Sequence, residues 1–380
     1  YGGEEGDLFN REEAKQFKMK NASIKARELV LRSAISIAAL NRSASGEQSI
    51  DKAMDLMVGN MLKSIYHRLE VQMFYGQSGL AKSDSTTAGS IVEAAGNTEI
   101  KILDSEWAAG VWNGTTNAEV NLEINGTVEP DVVDNQIPRK YTIVGYSLKK
   151  RSVTLAGLNI TGTSPSLADG DEVVIHFNTA VDVSGVKKEF LGVHAISEEK
   201  VSLFGVANAS EPLFQGSIVD VGTSVAPAFL SQGKIEEGIS SMVEKGLMEE
   251  EVSVYVNPRQ WDDLLTEQDA KRSMDSSYSS AKHQSGAREI EFFGQNGTIK
   301  IKASTFVKQG YAYIICEKDL KRIGSTEVTF KRPDGEEFFK LLEGKHGVEM
   351  RCMTDQALFT SRPASICQLR FIKAQQPTTP

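Results

Sequence analysis

Between Ser49 and Tyr75 the chain repeats apolar residues at steps of three and four: Ile50, Met54, Met57, Met61, Ile65 and Leu69. With 3.6 residues per turn these positions fall on one stripe, so the spacing predicts a single amphipathic helix. Leu56, Val58, Leu62, Tyr66 and Met73 are expected to widen the stripe. The Ser49 hydroxyl is placed to cap free backbone N–H groups, and Gly76 and Gly79 supply the stop. Such a helix is roughly 40 Å long at 1.5 Å per residue, about the width of a small domain. The rest of the chain must therefore be arranged along it as along a strut.

Before the strut, residues 1 to about 47 are charged at first (Glu4, Glu5, Asp7, Arg11, Glu12, Glu13, Lys15) and then mix Ala, Ile, Leu and Val with Lys25, Arg27, Glu28 and Arg32. This pattern predicts an arm followed by an extended hairpin. From Ser23 to Leu40 no apolar face is wide enough for a core of its own, so the segment is expected to lie against another body, a neighbouring subunit. The chain begins at Tyr1 rather than Met, which leaves both proteolytic trimming and further upstream residues open.

After the strut the pattern shortens to strands. Ile100 and Ile102 alternate with polar neighbours, Asp104 to Trp112 reads as a short helical turn, and Val120, Leu122 and Ile124 alternate again. From Thr127 to Gly216 the chain is rich in Thr, Val, Gly and Asn, with turn signals such as Ala168-Asp169-Gly170-Asp171 and no helical period. A small separate β domain, a barrel or a sandwich, is expected there. Beyond Gly222, Ile235, Ile239, Met242, Val243 and Leu247 predict an amphipathic helix, Val252, Val254 and Val256 a strand ending at Asn257-Pro258, and Trp261, Leu264 and Leu265 a further helix. A Ser-rich stretch from Met274 to Ala287 reads as a loop. Strands are expected at 290–293, 299–303, 311–316, 328–331, 348–353 and 366–372, giving an α+β class with antiparallel strands.

Composition narrows the function. The chain has 380 residues, 40% of them hydrophobic, enough for a substantial core. Its 51 acidic against 42 basic residues give a net charge of -9, which argues against a dense cationic face for nucleic acid. Cys316, Cys352 and Cys367 are too scattered for a disulfide framework or a zinc site and read as small core residues. No apolar run reaches the roughly 20 residues a bilayer requires, so no membrane partner is expected.

Motifs for chemistry are missing from the sequence. It holds no phosphate-binding Gly-rich loop with Lys-Ser/Thr, no Gly-x-Ser-x-Gly and no His-Glu-x-x-His. His67, His176, His194, His283 and His346 never stand four residues apart, so ordinary imidazoles are expected rather than metal ligands. Glu249, Glu250 and Glu251 are neighbours on the chain and read as a solvated helix end rather than a cation site. Phe330-Lys331-Arg332 and Phe338-Phe339-Lys340 read as a hairpin about Pro333-Asp334-Gly335 in preference to a base-stacking platform. Accordingly no catalytic, cofactor-binding or metal-binding residue and no cofactor is assigned, and the chain is expected not to be an enzyme.

The order arm, projecting hairpin, long helix and mixed domain closed by C-terminal strands resembles the major capsid proteins of tailed bacteriophages, with the Hong Kong 97 fold. The run Leu31 to Ser43 leading into Ile50 to Gly79 looks like that family's extended loop and spine helix. Trp107-Ala108-Ala109-Gly110-Val111-Trp112-Asn113-Gly114, Ser202-Leu203-Phe204-Gly205-Val206 and Glu211-Pro212-Leu213-Phe214 are similar to segments common in it. The resemblance implies an α+β capsid fold: an N-terminal arm (1–14), an extended loop (15–47), the spine helix and the start of the core (48–126), an inserted β-rich domain (127–216), an axial domain (217–325), peripheral-domain strands (326–355) and a C-terminal strand and tail (356–380). It also implies self-assembly as hexamers and pentamers into an icosahedral virion shell, built in the host cytoplasm around double-stranded DNA contacted without sequence preference. Scaffold, portal, maturation protease and cement proteins are the implied further partners. In some relatives a loop Lys is cross-linked to a neighbour's Asn; Lys18, Lys20 and Lys25 occupy that region but are read as ordinary surface charges. An encapsulin-like shell enclosing cargo, or a carbohydrate-binding or hydrolytic phage protein working through 127–216 with Tyr141, Tyr146, Phe177 and Phe190, are the alternatives.

Overall fold

The strut is present. In the computed structural model, which describes residues 21–38, 53–87, 89–94, 96–131, 134, 136–156, 170–178, 180–198, 200–208, 211, 213–247, 250–273, 290–294, 297–330, 339–342 and 346–375, a helix runs over Ala53–Tyr75. The expected cap at Ser49, the arm 1–14, the loop 274–287 and the hairpin about Pro333 lie outside the described residues. Met61, Ile65 and Leu69 are buried as the stripe predicts, but Leu56 and Tyr66 are 65% and 53% exposed and do not widen it. The helix stops at Tyr75, as expected, and Gly79 takes a positive φ of 84°. Gln77 takes the left-handed conformation (φ 68°), while Gly76 is required for close approach, since a Cβ there would sit 2.3 Å from Phe190 O.

The first half of the helix lies on a thin antiparallel strip. The strand Arg27–Ser36 pairs with Gly347–Thr360, Arg27 opposite Gln356 and Ser36 opposite Gly347; Leu320–Thr329 and Phe339–Leu341 pair with the far side of Gly347–Thr360. Met61 and Ile65 pack on Met350 and Cys352, with Leu29, Leu31, Met57 and Phe330 around them. The expectation that 23–40 lies on a neighbouring subunit is overturned for Arg27–Ser36, because the chain's own C-terminal strand offers it a ladder ten residues long.

The second half of the helix shares its core with a closed β barrel. Its strand order is Ala81–Lys82, Val173–Phe177, Glu119–Ile124, Tyr141–Ser147, Ser152–Ala156 and Asn97–Lys101, with Ile91–Ala94 outside the last and Thr127–Val128 added to Glu119–Ile124. The ring closes where Ser83 bridges Ile102, Asp84 N–H donates to Lys101 O and Leu103 N–H to Lys82 O. Val120, Leu122, Ile143, Val153, Leu155 and Ile175 fill the interior. A barrel is thus present, but it spans 81–177 rather than 127–216, and four of its strands precede Thr127. Nor does it have a core to itself: its interior is continuous with Leu69, Phe74 and Tyr75 of the helix and with Tyr313, Leu358 and Ile366.

A six-stranded mixed sheet forms the remaining body, in the order Ser217–Asp220, Ile366–Arg370, Tyr311–Ile315, Val252–Val256, Gly297–Ala303 and Ile290–Gly294. Two of its neighbour pairs are parallel, Ser217–Asp220 with Ile366–Arg370 and Val252–Val256 with Gly297–Ala303, where antiparallel pairing was expected. The helices Gln232–Glu244 and Pro258–Ser273 cover one face. Ser231 caps the first by accepting from Lys234 N–H, and the Asn257 side chain caps the second through Arg259 N–H at 3.1 Å. The close fit of helix on sheet depends on Gly238, where a Cβ would lie 2.7 Å from Ile314 Cδ1. The other face, with Tyr313, Ile315 and Ile366, meets the strut and the barrel.

Candidate functional site

Where strut, barrel and mixed sheet meet, polar groups converge in the interior. Lys308 Nζ lies 2.6 Å from Glu106 Oε2, with the two side chains 3% and 6% exposed. Tyr311 donates to Glu106 Oε1 at 2.9 Å; Tyr75 donates to Phe306 O at 3.0 Å and accepts from Lys308 N–H at 2.8 Å. Beside them His194 Nδ1 is 2.8 Å from Tyr313 OH, and Ser197 donates to Gln368 Oε1. Burial works to raise the Glu106 carboxyl, yet Lys308, with His194 and Tyr311, holds it below the ordinary carboxylate range. Burial raises the phenols of Tyr75, Tyr311 and Tyr313, which stay neutral donors. Each charge here already has its partner. The arrangement locks three elements together.

The motif segments of the sequence act as packing rivets. Trp107 and Trp112 stack at 6.2 Å in the barrel's core, and Gly110 between them lets the chain touch Thr305, whose carbonyl accepts from Gly110 N–H. Phe204, at φ 50°, packs edge-on to Phe359 at 5.5 Å, and its carbonyl accepts from Ser23 N–H, which ties the N-terminal strand to the body. Tyr141 and Phe177 are buried in the core, Phe190 is buried beneath a shallow cavity by Ser23 and Phe204, and Tyr146 is half-buried, so the four do not form one exposed aromatic platform.

Among the described residues the histidines stay apart. His67 Nε2 lies 2.7 Å from Gly110 O, His176 Nε2 2.9 Å from Glu123 Oε2, and His194 sits in the tyrosine cluster. Of the acidic run, Glu250 turns to Cys316 and Asp319, and the three ligand atoms lie within 4.8 Å of one another. Arg362 takes the place a cation would fill, 2.6 Å from Glu250 and 2.8 Å from Asp319. Burial, and then Glu250, push the Cys316 thiol up to about 11, and burial pushes Cys367 up to about 12, so neither is a ready thiolate. Glu251 instead faces Lys300. Spacing along the chain held no hint of this cluster, because Arg362 is contributed by the turn after the long C-terminal strand.

The strip is the opposite kind of site. Its outward face carries Arg32 and Arg351 on one carboxylate: Arg32 Nε is 2.8 Å and its NH2 3.0 Å from Glu349, and these two arginines hold the Glu349 carboxyl down to about 2. Leu56 and Tyr66 stand exposed on the helix above it, and Val30 is 42% exposed on the strand below. A mid-helix glycine, Gly59, has open space where a Cβ would be, so nothing in this chain's packing requires it.

Solved structures that this chain is similar to include phage capsids and an encapsulin. They include a cyanophage A-1(L) capsid (TM-score 0.38, 9% identity, covering 49% of this chain and 61% of that one) and a satellite phage P4 procapsid with its size determination protein (TM-score 0.39, 8% identity, 98% and 79%). A Synechococcus elongatus encapsulin complex is similar over 47% of this chain and 61% of that one, at TM-score 0.28 and 8% identity. This chain therefore spans 61% of the cyanophage protein's length. No protein-family model matches the chain, and no curated protein matches it. Likenesses this distant carry no argument, and function rests on the residues themselves.

Proposed function

We propose that this chain is a major capsid protein of a tailed bacteriophage, a non-enzymatic subunit that tiles with its own copies into a shell. The observation that carries the reading is the strip: a helix of 23 residues lies on a strand that precedes it and a strand that returns from the C-terminus. That is the order in which the resembled family places its extended loop, spine helix and peripheral strands. A saturated interior at one end and a thin, one-sided layer at the other suit a subunit that is rigid in itself and completed by neighbours.

In this reading the mixed sheet with its two helices is the axial domain, and the barrel 81–177 is the insertion. Subunits close as hexamers and pentamers into an icosahedral head around double-stranded DNA, with scaffold, portal, maturation protease and cement proteins as further partners. The shell assembles in the host cytoplasm and ends in the virion. Among the described residues no helix is long and apolar enough to cross a membrane. Electron microscopy of the expressed chain, alone and with a scaffold, is expected to show closed icosahedral particles. A protein that stays monomeric under every such condition would overturn the proposal, and purified particles filled with a cargo enzyme rather than DNA would replace it with an encapsulin-like shell.

A further inference from the structure

The outer edge of the strip says how one contact between copies is made; the inference deepens the assembly reading and rests on it for its occupant. Among the described residues Arg27–Ser36 is the outermost strand of its sheet. Just past it, in the same register, Ile37 donates its N–H to His346 O at 3.3 Å. In an antiparallel ladder the residues exchanging hydrogen bonds alternate, so the odd-numbered residues turn their N–H and C=O inward to Gly347–Thr360. Glu28, Val30, Arg32 and Ala34 turn theirs to the outer edge, where no strand among the described residues pairs with them. Their side chains are exposed, on the sheet face away from the helix.

An edge left open among the described residues over this length is a template for another strand. Directly across the ladder within the chain, Glu28 stands opposite Asp355 and Arg32 opposite Arg351, while Arg32 reaches diagonally to Glu349. Like charges directly across a ladder destabilise it. Now let two copies meet edge to edge, antiparallel, about a two-fold axis perpendicular to the sheet. The register centred on Val30 sets Glu28 of each copy against Arg32 of the other, Val30 against its counterpart, and Leu29 against Leu31 on the helix side. Registers centred on Glu28 or Arg32 oppose like charges, and those centred on Leu29 or Leu31 leave both charges opposite uncharged residues. We propose that two copies of this chain join by antiparallel pairing of their Arg27–Ser36 edges about a two-fold axis at Val30, making one continuous sheet across the subunits.

Val30→Cys tests this on the full chain, in solution and in particles. Opposed residues exchanging hydrogen bonds lie about 5.5 Å apart between Cα atoms, within reach of a disulfide. Mild oxidation is therefore expected to give a dimer on a non-reducing gel, and Cys316, Cys352 and Cys367 are buried and should add little background. Ala34→Cys lies on the same face, but its counterpart in this register is roughly 27 Å away, so it should stay monomeric. Adding Glu28→Arg to Val30→Cys turns both attractive pairs repulsive and should cut the dimer roughly tenfold. Particles that form without a Val30→Cys dimer overturn the edge pairing and leave the shell standing. Dimer in a protein that never forms particles supports the edge and overturns the shell. Equal cross-linking of Ala34→Cys and Val30→Cys overturns the register.

Discussion

Two carboxylates, Glu106 in the central junction and Glu349 on the strip, are each held by cations, and they do different work. Glu106 and Lys308 are almost fully enclosed, tied to Tyr75 and Tyr311 and through them to strut, barrel and mixed sheet. Arg32, by contrast, is 61% exposed, and it shares the Glu349 carboxylate, itself only 6% exposed, with Arg351 on the sheet face away from the helix. A buried pair is worth little as a pair but is costly to break, because the remaining charge has no water to turn to. A pair whose cation is exposed, on a carboxylate that keeps a second cation, is broken with smaller loss. The junction thus makes the subunit one body, and the strip leaves it a face on which a second body can be read.

Breaking the junction should have the largest effect. Lys308→Met strands Glu106 and is expected to cost about 3–5 kcal/mol of stability, with most of it recovered in Lys308→Met/Glu106→Leu, measured by urea unfolding of the unassembled subunit. If the single and double variants unfold alike, the pair is not what couples the three elements. Glu123 on the barrel is an intermediate case, its side chain 20% exposed. The hydrogen bond from His176, with Lys187 beside it, holds its carboxyl down to about 2. A carboxyl lowered in the folded state adds stability that is fully present above its ordinary value near 4.5 and is lost as pH falls from there towards 2. Melting curves across that window should therefore fall less steeply for Glu123→Gln than for the parent chain. The smallest effect on the subunit belongs to the strip. Arg32→Gln should barely move the unfolding midpoint while lowering particle yield, and a large loss of subunit stability would erase the contrast between the two sites.

How much was legible in the sequence depended on how local the cause was. The strut could be read because Met57, Met61, Ile65 and Leu69 repeat with the helical period over many turns. The helix Gln232–Glu244 and the strand Val252–Val256 follow for the same reason. The barrel's extent could not. Ala81–Lys82 and Ile91–Ala94 are too short to show alternation, and closure depends on Ser83 meeting Ile102, a pairing with no local signal. The strand expected at 348–353 runs on to Thr360, because Gln356, Ala357 and Leu358 are all buried and hide the two-residue period. Of the junction nothing was visible: Glu106 and Lys308 are single charges on separate turns, 202 residues apart.

Periodicity is a property of neighbouring residues, so the primary structure alone decided that a long one-sided helix exists, roughly where it lies and which stripe it buries. Which strand lies beneath that helix was decided only in three dimensions. The alternating face of Arg27–Ser36 suits any antiparallel partner, and Gly347–Thr360 won it because the fold brings these two segments, far apart in sequence, together along the strut, and proximity makes the pairing intramolecular.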